Sequence, residues 1–368
     1  MPSINSTNRV PGVRLSATQE RQVRRRRDKT GSRSYRGEGA GVRRLGGFQL
    51  QTYLLSRASG TVEPSCGPML RSAMGGETLT YAGGAVDAAP SASEVRTTNA
   101  HGLVVGQGVA FGGEVRFVSS VMDSHTVTLN VPFSVVPTAG SMLGGTVSYR
   151  LGRLPKSVSL FDYWSPDSAV QRIVRGAVVD EFRIRLNGDF HELDFRGPAC
   201  DVLDSASFSS GQAQLSMFPV EPAVETVMAQ PVPGHLGQVW LGSVPEQSYT
   251  VTEAEFALRN RVDLRVREFG APTARCFAPG AREVKFGFSA YGQDTASAHA
   301  LYQASRQRSP IQVLLQLGQQ AGQMLGVYMK SYLPEAPVFD DRENRLLWRF
   351  EDGLAEGTSD DEVYLAFA

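Results

Sequence analysis

Carboxylate pairs are the first residues in this chain that could do chemistry. Glu181 and Asp194 flank a candidate hairpin, and Glu253 and Glu255 recur two residues apart. Two acids held on either side of a sugar bond would suit glycoside hydrolysis. Both pairs, however, fall at alternate positions of extended runs, where carboxylates on a solvated strand face need no catalytic explanation. The clusters "FDDRE" (339–343) and "SDDE" (359–362) supply the oxygen ligands that calcium and magnesium take. The first departs from EF-hand spacing and the second abuts a strand, so solvated loops or contacts to a neighbour fit better. His101, His125, His191, His235 and His299 are scattered, without the HExxH or HxH spacing that brings two imidazoles to one metal. His191 reads as a strand residue. Cys66, Cys200 and Cys276 lie far apart without a CxxC pair, which points to reduced thiols acting as small buried hydrophobes. There is no GxSxG elbow and no Walker loop. "GQGVAFGG" (106–113) precedes no helical pattern, so it does not read as a dinucleotide loop. The expectation is a protein that is not an enzyme and needs no cofactor.

Size and charge bound the alternatives. A chain of 368 residues can bury a sizeable core without disulfides or metals. Its 38 glycines suit a turn-rich all-β chain. Net charge is zero, yet residues 1–46 hold 12 Lys/Arg against 3 Asp/Glu, leaving 25 against 34 in the remainder. A basic arm on an acidic body suggests that the arm of one copy touches the body of another. No apolar run approaches a membrane span, and the N-terminus has no signal-peptide core.

The positioning elements are mostly strands. In "DEFRIRLNGDFHELDFR" (180–196), Phe182, Ile184 and Leu186 alternate with Glu181, Arg183 and Arg185 before Asn187-Gly188. Asn-Gly between alternating runs predicts a two-residue type I′ hairpin, with Leu186 opposite Asp189, Phe182 opposite Leu193, Arg183 opposite Glu192 and His191 opposite Ile184. In "YTVTEAEFALRNRVDLRVREF" (249–269), Ala254, Phe256, Leu258, Val262, Leu264 and Val266 share one phase, interrupted only by Asn260. A single strand through that pattern would span roughly 43 Å and need long neighbours. One long helix is expected over 294–308, capped by Asp294 or Thr295, with Ala298, Leu301, Tyr302 and Ser305 on one face. A short helix within 63–76 is stopped by Gly75-Gly76. Further strands are expected at 47–57, 311–317, 323–332, 345–351 and 362–367. Residues 83–93 read as a small, flexible linker.

These readings give a mainly β fold: a β-sandwich or half-barrel flanked by one α-helix, with an inserted small β module. Residues 1–46 form a basic arm or irregular first strand, 47–93 with 147–368 the sandwich, and 94–146 the insert. Long two-faced strands without a catalytic site favour a structural protein whose open sheet edges are satisfied by neighbouring copies.

Several stretches resemble the tail tube (major tail) proteins of long-tailed bacteriophages. "GGFQLQTYLLSRASGTVEPSCGPMLRSA" (46–73) is similar to the family's strand followed by a "G-T-A-x-x-P-x-x-G-P-L-L-R-A" pattern. "IVRGAVVDEFRIRLNGDFHELDFRGPACD" (173–201) resembles its Gly-led strand, hairpin and "F-x-F-x-G". "LRNRVDLR" (258–265) and the terminal "GTSDDEVYLAFA" are similar to two further family patches. The resemblance implies a tail-tube-like sandwich that assembles into stacked, hexameric rings, a virion protein made in the host bacterial cytoplasm. It implies the chain itself as first partner, a tape-measure protein in the lumen, tail terminator and distal tail proteins at the ends, and DNA only in transit, with no membrane. On this reading Arg183, Arg185, Glu192, Asp194, Glu253, Glu255, Arg259, Arg261, Asp263, Arg265 and Arg267 are candidates for the lumen or the subunit seam. Arg24, Arg25, Arg26, Arg27, Asp360, Asp361 and Glu362 are candidates for arm or inter-ring contacts. Rival readings are a distal tail or baseplate hub protein, the tube of a gene transfer agent or secretion device, and a carbohydrate-binding sandwich stacking sugars on Tyr163, Trp164 and Trp240.

Overall fold

The structure, a computed structural model, describes residues 4, 6–25, 31–34, 37–164, 170–223, 229–248, 250–342 and 344–368. The chain opens with a long antiparallel hairpin, β1 (Gly12–Arg25) and β2 (Glu38–Tyr53), in register from Gly12 opposite Thr52 to Arg25 opposite Glu38. Within the segment read as a basic arm or irregular first strand, residues 12–25 and 38–46 therefore belong to this pair of strands. Helix α1 (Gly67–Met74) carries Pro68 in its first turn and ends at Gly75, whose φ of 75° sits in the left-handed region that stops a helix. Strand β3 (Gly75–Tyr81) follows directly.

A small six-stranded sheet comes next: β4 (Gly84–Ser91), β5 (Glu94–Thr97), β6 (Gly108–Phe111), β7 (Glu114–Val121), β8 (Thr126–Leu129) and β9 (Met142–Leu143). It begins inside the stretch read as a linker. The small residues of β4 have little strand propensity of their own. Their backbone is fixed by pairing with β5 on one side and β9 on the other. Phe111 pairs with Glu114 around Gly112-Gly113, both with positive φ (59° and 80°), which is the geometry of a type I′ turn. The glycines of "GQGVAFGG" thus build a hairpin.

The remaining strands are β10 (Thr146–Leu151), β11 (Val158–Asp162), β12 (Arg172–Ala177), β13 (Glu181–Leu186), β14 (Glu192–Asp204), β15 (Gly237–Gly242), β16 (Glu246–Ser248), β17 (Val251–Arg259), β18 (Asp263–Leu264), β19 (Phe277–Ala278) and β20 (Glu283–Tyr291). Helix α2 (Ala296–Gln307) precedes β21 (Ile311–Leu317), β22 (Leu325–Leu333), β23 (Val338–Asp340), β24 (Leu347–Ala355) and β25 (Tyr364–Phe367). The α2 expectation holds. The Thr295 hydroxyl accepts from the Ala298 amide, and Ala298, Leu301, Tyr302 and Ser305 form the inward face.

Pairing sorts most of these strands into two layers, with β12 beside β14 beyond the end of β13, β11 beside β12, and β18 with β19 in a separate ribbon. The first runs β1–β2–β14–β13–β17–β20–β24–β23. The second runs β16–β15–β21–β22–β25–β10–β3, and β22 joins the layers through Tyr332–Leu333 against Leu354–Ala355 of β24. Phe182, Phe195, Phe256, Phe286 and Phe350 of the first layer share one core with Val313, Leu315, Val327, Leu365 and Phe367 of the second. Burial of each such ring withdraws enough apolar area to contribute about 1.5–3 kcal/mol. Met69, Leu70 and Ala73 of α1 enter the same core.

The outer face of the second layer is covered as well. Trp240, Leu314, Tyr328 and Tyr364 pack against Ala110, Val115 and Phe117 of the small sheet. The outer face of the first layer is different: over β13, β17 and β20 it is polar, while the β18–β19 ribbon lies against β14 to one side. No helix among those residues is long and apolar enough to cross a membrane.

Candidate functional site

Strand periodicity alone places the charges of the first layer. Because successive side chains point to opposite faces, burying Phe182, Ile184, Leu193, Phe195, Phe256 and Leu258 sends their neighbours outward. Of the residues singled out from the sequence, Arg183, Arg185, Glu192, Asp194, Glu253, Glu255 and Arg259 stand together on this face.

Cross-strand register makes the face a lattice of opposite charges. Arg183 lies opposite Asp194 on one side and Ala257 on the other, while Arg185 lies between Glu192 and Glu255. The Arg183 guanidinium reaches Glu181 at 2.6 Å and Glu255 at 3.4 Å, and Arg185 reaches Glu255 at 3.3 Å. Gln49 donates to Asp194 at 3.0 Å and Gln51 to Glu192 at 2.6 Å, tying β2 into the array. Ser289 donates to Glu253 at 2.9 Å, and Lys285 pairs with Asp352 at 2.9 Å. Arg259 stands between Glu181 and Glu283 in register. Arg196, Gln49, Gln51, Glu283 and Lys285 belong to this face and were not singled out from the sequence, although the same alternation carries Arg196 and Lys285; Glu181, weighed from the sequence as half of a carboxylate pair, belongs to the face as well.

Glu181 is the anchor of the array. Its carboxylate is buried and is gripped by Arg183 and Arg196. Burial pushes its pKa up, but hydrogen bonds from the two guanidinium groups outweigh burial and hold it below the ordinary value.

The hairpin turn departs from expectation. Phe182 pairs with Phe195, Arg183 with Asp194, Ile184 with Leu193, and Arg185 with Glu192, two positions away from the two-residue turn. Of Asn187-Gly188 only Asn187 has positive φ (66°), so no type I′ turn forms. The segment after residue 230 holds the turn open: Gly234 donates to the Asp189 carbonyl, and Phe190 bridges Pro233. A slip of two residues preserves the face of every side chain, which is why the charged face survives it. His191 consequently does not lie opposite Ile184. It is buried, its Nε2 lies 2.8 Å from the Leu236 carbonyl oxygen, and burial keeps its imidazole below the ordinary pKa. An open recess of about 360 Å³ lies at this turn, lined by Arg185, Asn187, Phe190, Glu192 and Glu253 among others.

The long strand expected over 249–269 also breaks. Strand β17 ends at Arg259, and Arg261 takes a left-handed φ of 50°. Asn260 occupies an apolar-phase position and is buried, with its side-chain amide donating to Ala73 O at 2.8 Å and Val179 O at 3.1 Å. Asp180 accepts from the Val262 amide at 2.6 Å and completes the turn. Arg261, Asp263, Arg265 and Arg267 therefore leave the sheet face. Arg261 pairs with Glu283, Arg265 pairs with Glu268 at 2.8 Å, and Asp263 lies in the two-stranded ribbon of β18 and β19. Phe269, fully exposed, marks the tip of this excursion. The excursion leans on the arm through Arg44, whose amide donates to Pro272 O at 2.8 Å.

The other candidates are placed separately. Arg24 and Arg25 end strand β1, whereas Arg26 and Arg27 lie outside the described residues. Asp360 and Glu362 pair with Arg282 at 3.0 and 3.5 Å, and Asp361 pairs with Lys330. In the other acidic cluster, Asp340 is held by Arg349 at 2.7 Å and Arg342 at 3.5 Å, while Glu343 lies outside the described residues. Among the described residues no group of three or more His, Cys, Asp or Glu side chains is arranged to hold a metal. Cys66 is buried, and Cys200 and Cys276 are partly so. Trp240 is buried beneath the small sheet and offers no stacking platform; Trp164 is exposed beside Arg172.

The chain matches no protein-family model and no curated protein sequence.

Proposed function

We propose that this chain is a structural subunit that self-assembles into stacked rings forming the tail tube of a long-tailed bacteriophage. The observation that carries the reading is the state of β1. It is 14 residues long, pairs with β2 on one edge, and has no strand on its other edge among the described residues. An open edge of that length invites another strand, and closure into a ring is one way to satisfy it. The mixed-charge face of the same layer then suits a water-filled bore, because its arginines are largely neutralised by neighbouring carboxylates and do not present a bare cationic surface to DNA. A tape-measure protein in the lumen, terminator and distal tail proteins at the ends, and DNA in transit are the partners of this reading. The test is sedimentation velocity of the purified chain over a wide concentration range. Discrete closed oligomers and longer stacks are expected; a single monomeric species throughout would reject the reading.

A further inference from the structure

We propose that Cys200 and Cys276 are a redox pair, which a small-molecule disulfide converts to one intrachain disulfide tying the 261–279 excursion to β14. The inference goes beyond the assembly reading and does not depend on it.

The excursion is closed at its neck, where the Gly280 amide donates to Asn260 O at 3.1 Å and Arg261 O at 2.9 Å. Beyond the neck it consists of the short β18–β19 ribbon and an irregular tip. Two strands of the first layer steady it. On the β2 side the Arg44 amide donates to Pro272 O, Arg44 bridges Thr273, and the Arg43 guanidinium donates to Glu268 O at 3.4 Å. On the β14 side the contact is packing, with β18 lying against that strand.

The two cysteines flank this packed contact. Cys276 borders β19, and its carbonyl accepts from the Arg265 amide at 3.0 Å, one residue beyond β18. Thr273, three residues before Cys276, is bridged to Arg44. The Arg44 guanidinium meets Asp201, the residue after Cys200, at 3.3 Å. One arginine therefore gathers the chain on either side. The thiols are also within electrostatic reach of each other: burial raises the Cys200 pKa, Arg175 lowers it, and the charges of Asp201 and Cys276 raise it. Both are partly exposed. Cys66 is the contrast, buried beside α1 with its thiol pushed up to about 12 by that burial, so it lacks the thiolate that reacts.

The chemistry is thiol–disulfide exchange. One thiolate attacks a sulfur of the small disulfide and expels half of it as a thiol. The second thiolate then displaces the other half. The protein sulfurs are oxidised and joined, their two protons pass to the two released thiols, and the small disulfide is reduced. The bond requires Cα atoms within about 7 Å, and a ribbon of two paired residues per strand can move to meet that limit.

The test incubates the full-length protein with oxidised glutathione at mildly alkaline pH. Mass spectrometry without reduction and hydrogen exchange before and after oxidation are the readouts. A mass loss of two hydrogens, a linked Cys200–Cys276 peptide and slower amide exchange over 264–276 are expected. Cys66→Ser keeps all three effects and Cys200→Ser abolishes them. The inference is overturned if the thiols stay free or are capped singly by glutathione, if either links to Cys66 or to a second copy, or if the Cys200–Cys276 link forms without slowing exchange.

Discussion

Arg116 meets Glu114 at 2.8 Å with its guanidinium wholly withdrawn from solvent, at the joint between the small sheet and the second layer. The guanidinium also donates to Pro132 O at 2.8 Å and to Gln316 and Gln238 at 3.3 Å, and it lies over the Trp240 ring at 5.2 Å. Gln316 belongs to β21 and Gln238 to β15, so the cluster bolts the small sheet to the sandwich. Removing one partner of a buried pair leaves the other charge uncompensated. Arg116→Ala is expected to cost about 3–5 kcal/mol in urea unfolding. Arg116→Met combined with Glu114→Gln is expected to cost less than the single change.

Acid should act through Glu114 and Glu181. At Glu114 burial raises the pKa, and hydrogen bonds from Ser134 together with Arg116 more than offset it, leaving the group below its ordinary value. Glu181 is depressed in the same way by Arg183 and Arg196. A depressed carboxylate contributes stability that is present above its unfolded pKa, about 4.3, and lost as pH falls through the folded value. The melting temperature is therefore expected to decline steeply below about pH 4. Glu181→Gln should flatten part of that decline while lowering stability at neutral pH.

Asn260→Ala removes a buried amide that satisfies the Ala73 and Val179 carbonyl oxygens. Leaving buried acceptors without a donor costs about 1–3 kcal/mol. A fall of that size in the free energy of unfolding is expected, and hydrogen exchange should quicken first around 260–264.

Much of this arrangement was legible in the alternation of the chain. Phe182, Ile184, Phe256 and Leu258 fix which face is buried, and the charged face follows from them without knowledge of the turn. Thr295 and Gly75 mark a helix start and a helix end by chemistry that acts within one turn. What escaped depends on distant segments. The Asn187-Gly188 turn is widened by the segment after residue 230, a partner no local pattern reveals. Strand β4 is built from residues of weak propensity and exists because β5 and β9 flank it. Asn260 did carry a signal, since an amide in an apolar phase must find partners, and those partners end the strand. Arg116 carried none: arginine is almost never fully buried, and its burial here requires acceptors from three separate stretches of chain.

Phe269 is fully exposed, so Phe269→Ser is expected to change monomer stability by no more than about 0.5 kcal/mol. If the excursion it tips takes part in contacts between copies, the same substitution lowers the assembled fraction. Paired thermal melts and sedimentation runs separate the two effects.

Negative-stain electron microscopy of the purified full-length chain decides whether copies close into rings. Closed rings with a central bore, stacking into tubes as concentration rises, are expected. A field of single compact particles at every concentration, from protein that is folded by circular dichroism, would contradict ring closure.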